Sequence, residues 1–180
     1  MKIIKTPFEG LLVLETMYFC DERGGFQKLF NYDFFAENGL ATDFKEFYYS
    51  ANKKGVRRGM HFQIPPHDHV KVVYVSMGRI QDVVVDIRKS SPTFGKCFSI
   101  ELDGNSARYL YIPKGFAHGF LSLEDNTIVN YAQTTCYNKA CDCGIDQDSI
   151  GFDWDMKDVI VSERDLTFPE LKDFETPFTL

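Results

Sequence analysis

The chain has 180 residues, 44% hydrophobic content and a formal net charge of −6 at pH 7. This apolar content excludes a disordered chain, the negative charge argues against a general nucleic-acid binder, and the length predicts a single domain over residues 1–180. The five cysteines are an odd number in a chain without a signal-peptide or membrane-length apolar run, which predicts reduced thiols and a cytoplasmic protein.

The predicted elements along the chain are short strands separated by turns rich in Gly, Pro and Asn. In chain order, strands are predicted at 11–14, 26–30, 44–50, 58–63, 71–76, 80–87, 97–102, 108–112 and 127–134. Short helices are predicted only at 32–38 and near 162–165. Short strands with regular turn signals and almost no helix predict an all-β fold, either a sandwich or a barrel.

The stretch at 58–63, Arg-Gly-Met-His-Phe-Gln, carries the first chemical signal. Because side chains alternate between the two faces of a strand, the pattern predicts Arg58 on the face of Met60 and opposite to His61. A histidine on a rigid strand with cations nearby suits proton transfer on an anionic substrate. A core histidine beside a turn is the common alternative for a lone histidine, so the interpretation depends on the motifs downstream.

The segment 113–118, Pro-x-Gly-x-x-His, is typical of the turn that brings a histidine to the mouth of a cupin-type jelly-roll barrel. In metal-binding cupins this turn accompanies an earlier His-x-His and a glutamate, and His67-x-His69 imitates the first part. The glutamate position falls at 73–74, which holds valine and tyrosine, and the ammonium of Lys71 would oppose a divalent ion. The sequence therefore predicts a cupin barrel with no metal and no other cofactor.

Further motifs follow one another in a fixed order along most of the chain. They lie at 21–26, 58–63, 71, 84–95, 112–120, 131, 137, 151–154 and 162–165. With these motifs the chain resembles the dTDP-4-dehydrorhamnose 3,5-epimerase family of nucleotide-sugar enzymes. The resemblance implies a cupin-type jelly roll, an isomerase that needs no cofactor, and a nucleotide-diphosphate 4-keto sugar as the substrate.

The resemblance also implies roles for four residues in an epimerisation through an enolate. A 4-keto group acidifies the hydrogens on C3 and C5 of the sugar, so inversion needs a base on one face and an acid on the other. His61 would be the base and Asp165 would orient its ring, while Tyr131 would return a proton from the opposite face. Lys71 would hold the enolate oxygen. Whether C3, C5 or both are inverted is left open.

Substrate binding is implied at the nucleotide end of the same site. Arg23, Arg58 and His118 would meet the diphosphate, Phe26 would stack on the base, and Tyr137 would belong to the same pocket. In this family the stacking residue comes from the neighbouring subunit, and sheets with open edges commonly pair with a second copy. The sequence therefore predicts a homodimer in which Arg23 and Phe26 of one protomer complete the other protomer's nucleotide pocket.

Three departures from the family pattern lie near the nucleotide. Lys28 stands where thymidine-using relatives carry a carboxylate, Glu46 and Tyr48 replace a Gln-x-Asn pair, and His69 replaces a glutamine. Glu46 would accept hydrogen bonds from the N1–H and the N2 amino group of guanine. The pattern resembles a branch that acts on GDP-linked 4-keto heptoses for capsule synthesis. The sequence leaves both carriers open, GDP (heptose) or dTDP (rhamnose-type), and predicts that GDP binds more tightly than dTDP.

Two other classes of function are weighed against the epimerase. A metal-dependent cupin oxygenase or isomerase is disfavoured by the missing glutamate. A non-catalytic cupin that binds a sugar nucleotide is disfavoured by the presence of both Tyr131 and Asp165.

Overall fold

The computed structural model describes residues 1–180, and most of its ordered elements are strands. In chain order the strands are β1 (Lys2–Lys5), β2 (Leu12–Glu15), β3 (Tyr18–Asp21), β4 (Gly24–Gln27), β5 (Glu46–Asn52), β6 (Arg57–Gln63), β7 (Lys71–Met77), β8 (Arg79–Asp86), β9 (Cys97–Asp103), β10 (Arg108–Ile112), β11 (Phe116–Ser122), β12 (Thr127–Gln133) and β13 (Asp142–Gly144). One α-helix, α1 (Tyr32–Glu37), and two 3-10 turns, Asp165–Thr167 and Leu171–Asp173, complete the elements. No helix is both long and apolar enough to cross a membrane.

The strands form two sheets and a separate hairpin, all with antiparallel pairing. One sheet has the order β1-β2-β10-β7-β12-β5 and the other the order β13-β6-β11-β8-β9, while β3 pairs only with β4. The all-β fold predicted from the sequence is confirmed. Both sheets place strands that are distant in sequence side by side, which brings the predicted site motifs of β6, β7, β11 and β12 together.

The main hydrophobic core lies between the two sheets. Inward-facing residues of the six-stranded sheet, such as Val73 and Leu110, belong to the same buried cluster as Val84 and Phe120 of the five-stranded sheet. Because side chains alternate along each strand, every second position enters this layer. The core fixes the distance between the sheets and therefore the width of any cavity between them.

Each sheet is also covered over part of its outer face. Helix α1 begins at the cap residue Asn31, whose side chain accepts from the Phe34 backbone N–H, and it buries Phe35 against the six-stranded sheet. The C-terminal segment covers the five-stranded sheet with Trp154 and Phe178. These contacts hold the covered strands, and the site residues on them, in fixed positions, whereas the outer face of β5 stays exposed.

Two predicted elements differ most from the structure, and four strands were missed: β1, β3, β11 and β13. The strand predicted at 26–30 is β4, which ends at Gln27 because Phe26 pairs back onto Phe19 in the β3–β4 hairpin. The helix predicted near 162–165 is instead the 3-10 turn that begins at Asp165. Strand β11 was missed because all seven of its residues are buried, so that it lacks the alternating pattern that marks a half-exposed strand.

The predicted alternation along β6 was wrong at Arg58. Strand β11 pairs His118 with His61 but Phe120 with Arg58, so β6 holds one residue more than β11 between these two pairs. This β-bulge turns Arg58 to the same side as His61. It contains Gly59 at a φ of +132°, where an added Cβ would lie 2.5 Å from the Gly119 Cα. Only glycine fits this position, and the bulge is what brings Arg58 into the site.

Candidate active site

A cavity of ≈ 450 Å³ lies between the sheets and is lined by side chains from both. Strands β6 and β11 of the five-stranded sheet form one wall, and β5, β7 and β12 of the six-stranded sheet form the other. The residues predicted from the sequence that line it are Glu46, Arg58, His61, Lys71, His118, Tyr131 and Tyr137. Asp165 contacts one of these residues, His61, through a hydrogen bond. The structure therefore brings together eight of the eleven residues that were predicted.

His61 and Asp165 form a hydrogen-bonded pair at the cavity wall. His61 Nε2 lies 2.8 Å from Asp165 Oδ1, and Asp165 Oδ2 accepts from the Gly59 backbone N–H at 3.3 Å. Burial alone would raise the pKa of Asp165, but its hydrogen bonds, that with His61 foremost, hold the pKa below its usual value. An ionised Asp165 accepts from the Nε2–H of His61, which leaves the free lone pair of the neutral ring on Nδ1. This arrangement suits a base whose protonated form is stabilised by a carboxylate.

Lys71 is buried at the start of β7, near a second carboxylate–histidine pair. Burial lowers the pKa of the Lys71 ammonium to about 8, and the charges of Asp82 and Asp142 oppose part of that shift. Asp82 Oδ2 lies 2.9 Å from His118 Nε2, and both side chains are almost completely buried. Burial raises the pKa of Asp82 and lowers that of His118. His118 is therefore held through Nε2, and its Nδ1 is the nitrogen that remains for a ligand.

Tyr131 lies on β12 directly opposite Tyr48 on β5. The two rings stack with their centroids 4.6 Å apart and their planes at 17°. The hydroxyl of Tyr131 lies 3.4 Å from the hydroxyl of Ser50, at the outer limit of a hydrogen bond. Burial raises the pKa of Tyr131 above its usual value, so the phenol keeps its proton at neutral pH and can donate it.

Arg58, Glu46 and Tyr137 add polar groups to the same cavity. Arg58 Nε donates to Asn52 Oδ1 at 2.8 Å, and its two terminal nitrogens have no partner in the protein. The Tyr137 backbone N–H donates to Glu46 Oε2 at 3.0 Å, so Glu46 Oε1 is the oxygen that remains free. Arg58 can bind an anion here, and Glu46 can accept a hydrogen bond from an N–H donor.

Three predicted residues lie outside this cavity. Arg23 pairs with Asp21 in the turn of the β3–β4 hairpin, and Phe26 is 62% exposed on β4. The Lys28 side chain is exposed just beyond the hairpin, and its backbone carbonyl accepts from the Thr16 hydroxyl at 2.8 Å. Arg23, Phe26 and Lys28 do not line the cavity of their own chain, so the prediction that they act in a neighbouring subunit stays a prediction.

Several lining residues were missed from the sequence. Arg164 pairs with Asp142 at 2.6 Å, and both line the cavity. Asp82 does not line the cavity but pairs with His118, which does, and it could have been found because a carboxylate between the inward-facing Ile80 and Val84 must point into the interior. Arg164 lies in the motif at 162–165 but was given no role, and no local signal marks Asp142, because β13 reaches the site only by pairing with β6.

Both histidines of the His67-x-His69 motif contact the side-chain amide of a neighbouring residue. His67 Nε2 lies 3.1 Å from Asn138 Nδ2, and Gln63 Nε2 lies 3.3 Å from His69 Nδ1. Burial and then the charge of Lys71 lower the pKa of His69 to about 3, so the ring is neutral. The structure has no group of three or more His, Cys, Asp or Glu side chains with a metal-binding arrangement.

Comparison with known proteins gives one consistent result. The family model described as dTDP-4-dehydrorhamnose 3,5-epimerase matches residues 5–173. A curated dTDP-4-dehydrorhamnose 3,5-epimerase from Methanothermobacter thermautotrophicus is 41% identical over 177 residues, which cover 96% of this chain and 95% of the relative. The corresponding enzyme from Shigella flexneri is 40% identical over 169 residues, covering 92% of this chain and 93% of the relative.

Solved structures agree with the sequence relatives. The Sulfolobus tokodaii dTDP-4-dehydrorhamnose 3,5-epimerase has a TM-score of 0.90 at 38% identity, covering 97% of this chain and 98% of that chain. A dTDP-6-deoxy-D-glucose-3,5-epimerase from Legionella pneumophila, in complex with dTDP-4-keto-L-rhamnose, has a TM-score of 0.91 at 34% identity, covering 97% of this chain and 94% of that chain. The cupin-type jelly roll expected from the sequence is confirmed.

Proposed function

Because the chain belongs to the dTDP-4-dehydrorhamnose 3,5-epimerase family, we propose that it inverts C3, C5 or both of a dTDP-linked 4-keto-6-deoxy sugar. The observation that carries the proposal is the placement of His61 and Tyr131 on opposite walls of one cavity. Inversion at carbon requires a base and an acid on opposite faces of the ring, and the two sheets supply one each. Neither the metal-dependent oxygenase or isomerase nor the non-catalytic cupin is favoured.

The first step is the removal of a proton from the carbon beside the keto group. His61 takes this proton on Nδ1, and the C–H electron pair moves into the enolate. Asp165 bonds the opposite nitrogen at 2.8 Å and stabilises the imidazolium that forms. The 3.3 Å contact from the Gly59 N–H to Asp165 fixes the carboxylate against the bulge of β6.

The second step is the protonation of the enolate from the other face. The ammonium of Lys71 holds the enolate oxygen, in a buried position where a charge acts more strongly than in water. Tyr131 then donates its phenolic proton to carbon, and its raised pKa keeps that proton available at neutral pH. The diphosphate binds the free terminal nitrogens of Arg58. If Asp82 keeps its proton, as its raised pKa favours, it donates to His118 Nε2, and the proton of the neutral ring then lies on Nδ1 and can also be donated to the diphosphate.

A homodimer completes the nucleotide end in this proposal. The β3–β4 hairpin pairs with no other strand, and it exposes Phe19 and Phe26 to 55% and 62%. A two-stranded hairpin with exposed aromatic rings is marginal alone and gains stability when a second surface covers it. A second copy of the chain supplies that surface, and Arg23 and Phe26 then reach its cavity. The odd cysteine count supports the cytoplasm as the compartment.

The carrier that we propose is dTDP, in place of the preference for GDP that was expected from the sequence, because the matching family and relatives are described as dTDP-sugar enzymes. Glu46 Oε2 already accepts from the Tyr137 backbone N–H, so one oxygen, Oε1, remains for the base. A single acceptor suits the single N3–H of thymine and can take over the role of the carboxylate that Lys28 replaces. GDP on a 4-keto heptose is the second candidate, favoured by the same Glu46, but reading both donors of guanine would require Glu46 to release Tyr137.

Deuterium incorporation tests the reaction directly. The protein is incubated in D₂O with a dTDP-linked 4-keto-6-deoxyhexose, and deuterium at C3 and C5 is counted together with the configuration of each carbon. We expect deuterium at one or both carbons with inversion. Absence of both exchange and inversion for every dTDP- and GDP-linked 4-keto sugar tried would overturn the proposed function.

A further inference from the structure

Of the aromatic rings beside Tyr131, the ring of Tyr48 lies nearest. Strands β5 and β12 pair in register, which sets Tyr48 directly opposite Tyr131 on the cavity side. Directly opposite side chains in an antiparallel pair lie about 4.5–5.5 Å apart at Cβ, close enough for two rings to stack. The observed centroid distance of 4.6 Å and angle of 17° describe an offset-stacked pair, in which the two ring faces overlap in part.

The hydroxyl of Tyr131 is held less firmly than its ring. Its one protein contact is the hydroxyl of Ser50 at 3.4 Å, which is too long for a strong O–H bond. The ring of Tyr131 also meets the ring of His118, at a centroid distance of 6.3 Å and an angle of 72°. The direction of the phenol is therefore set by packing on the ring, and Tyr48 supplies the stacked face.

Tyr48 is held in turn by Gln133, the next residue of β12 whose side chain faces the cavity. Gln133 donates a short hydrogen bond from Nε2 to the Tyr48 hydroxyl. Gln133 pairs with Glu46 two residues before Tyr48, so the contact is diagonal across the two strands. Burial raises the pKa of Tyr48, so its hydroxyl stays neutral and does not compete as a base.

We propose that Tyr48 is a positioning residue that holds Tyr131 over the reacting carbon and thereby makes protonation from the inverting face faster than return from His61. The inference rests on the proposed function. After His61 removes the proton, the enolate has two fates. Tyr131 can transfer its O–H proton to carbon, after which the phenolate and the imidazolium exchange protons with solvent, and the carbon is inverted. Alternatively the imidazolium returns a proton to the same face, and the carbon keeps its configuration.

The two fates are separable in D₂O. Return from an exchanged His61 places deuterium on a carbon of unchanged configuration, whereas donation from Tyr131 places it on an inverted carbon. The ratio of exchange with retention to exchange with inversion therefore reports where the phenol points. Loss of folding lowers both rates together and leaves this ratio unchanged.

The test compares Tyr48→Leu, Tyr48→Phe and a control, Phe47→Leu. Phe47 is 71% exposed on the opposite side of β5 and does not line the cavity, so its replacement removes a ring from the same strand without touching the site. In Tyr48→Leu we expect inversion to slow by about 10²-fold, the cost of an error of about 1 Å in position, while exchange with retention continues and KM changes little. Tyr48→Phe keeps the stacked ring and should stay close to the wild-type ratio, as should Phe47→Leu.

The outcomes are distinct from failure of the proposed function. If the wild type exchanges no deuterium, the reaction itself is wrong. If the wild type inverts and Tyr48→Leu shows the wild-type ratio of retention to inversion, Tyr48 does not position Tyr131. A shift in Tyr48→Phe as large as that in Tyr48→Leu would overturn the role of stacking. Melting temperatures of all three variants accompany the measurement.

Discussion

The carboxylate of Asp165 lies 2.8 Å from Nε2 of His61, although 104 positions separate the two residues in the chain. Asp165 is 4% exposed and begins a 3-10 turn that packs against β6. Such a pair orients the imidazole and stabilises its protonated form, which are the two properties that a general base requires.

His61→Ala should leave the fold intact and lower turnover by about 10² to 10⁴, the usual range for a positioned acid–base group. The measurement is deuterium exchange and inversion at C3 and C5, with circular dichroism to confirm folding. His67→Ala is the matched control, because His67 contacts Asn138 and does not line the cavity. Near-normal exchange in His61→Ala would remove His61 from the mechanism.

The activity should fall on the alkaline side with a midpoint near the Lys71 pKa of about 8. Below that pH Lys71 carries the charge that holds the enolate oxygen, and above it the charge is lost, so kcat/KM decreases as pH rises. Tyr131 does not account for this limb, because burial raises its pKa. In Lys71→Arg the guanidinium stays charged, so the remaining activity should lack the limb. The same limb in Lys71→Arg would assign it to another group.

The burial of Lys71 should also make the free energy of unfolding depend on pH. Lys71 is protonated in the unfolded chain up to its ordinary pKa of 10.5 but loses its proton at about 8 when folded. Between these values the unfolded state binds more protons, so the contribution of Lys71 to the free energy of unfolding rises with pH. Denaturant titrations across this window should show the rise in the wild type. Lys71→Met should lack it, and an equal rise in that variant would refute the assignment.

The sequence predicted the site better where a local motif carried it than where strand pairing created it. His61, Lys71, His118 and Tyr131 were predicted because each lies in a recognisable motif or on a patterned strand. The contact between Tyr48 and Tyr131 was not predicted, because the two residues lie opposite each other only in the observed register of β5 against β12. Register is a property of two distant segments and leaves no mark in either alone.

The side-chain direction of Arg58 is a second feature that the sequence did not predict, here within a single strand. Strict alternation placed it opposite to His61, and a one-residue bulge in β6 reversed that placement. A bulge changes the face of every residue beyond it, and its signal here is a single glycine that a sequence pattern does not distinguish from a turn. The motif therefore located β6, but it did not predict that Arg58 and His61 face the same cavity.

Mixed dimers should test whether the hairpin acts between subunits. One protomer carries His61→Ala, the other carries Arg23→Ala with Phe26→Ala, and the heterodimer is purified through two different tags. Each variant alone should be weak, because one lacks the base and the other lacks the stacking ring, a contact worth about 1–3 kcal/mol for a base on an aromatic ring.

In the heterodimer, the protomer with an intact His61 receives an intact hairpin from its partner. We therefore expect about half of the wild-type activity per dimer, because one of the two symmetric sites is complete. The control is the mixture of the two homodimers before subunit exchange, which should remain weak. An active monomer in sizing experiments, or a heterodimer no better than the controls, would contradict the shared pocket.

Thermal stabilisation by nucleotides should separate the two carriers. At equal concentration dTDP should raise the melting temperature more than GDP, because Glu46 has one free oxygen for the thymine N3–H while its other oxygen holds Tyr137. Glu46→Leu leaves the N3–H of thymine unpaired, at a cost of about 1–3 kcal/mol, and should weaken dTDP binding by about 5- to 150-fold. Asp43→Asn is the matched control, since Asp43 is an exposed carboxylate three residues away that does not line the cavity.

Lys28→Glu restores a carboxylate beside the base and should strengthen dTDP binding if the hairpin crosses to the partner. Greater stabilisation by GDP in the wild type would instead assign guanine to Glu46, and would make a GDP-linked 4-keto heptose the first substrate to assay.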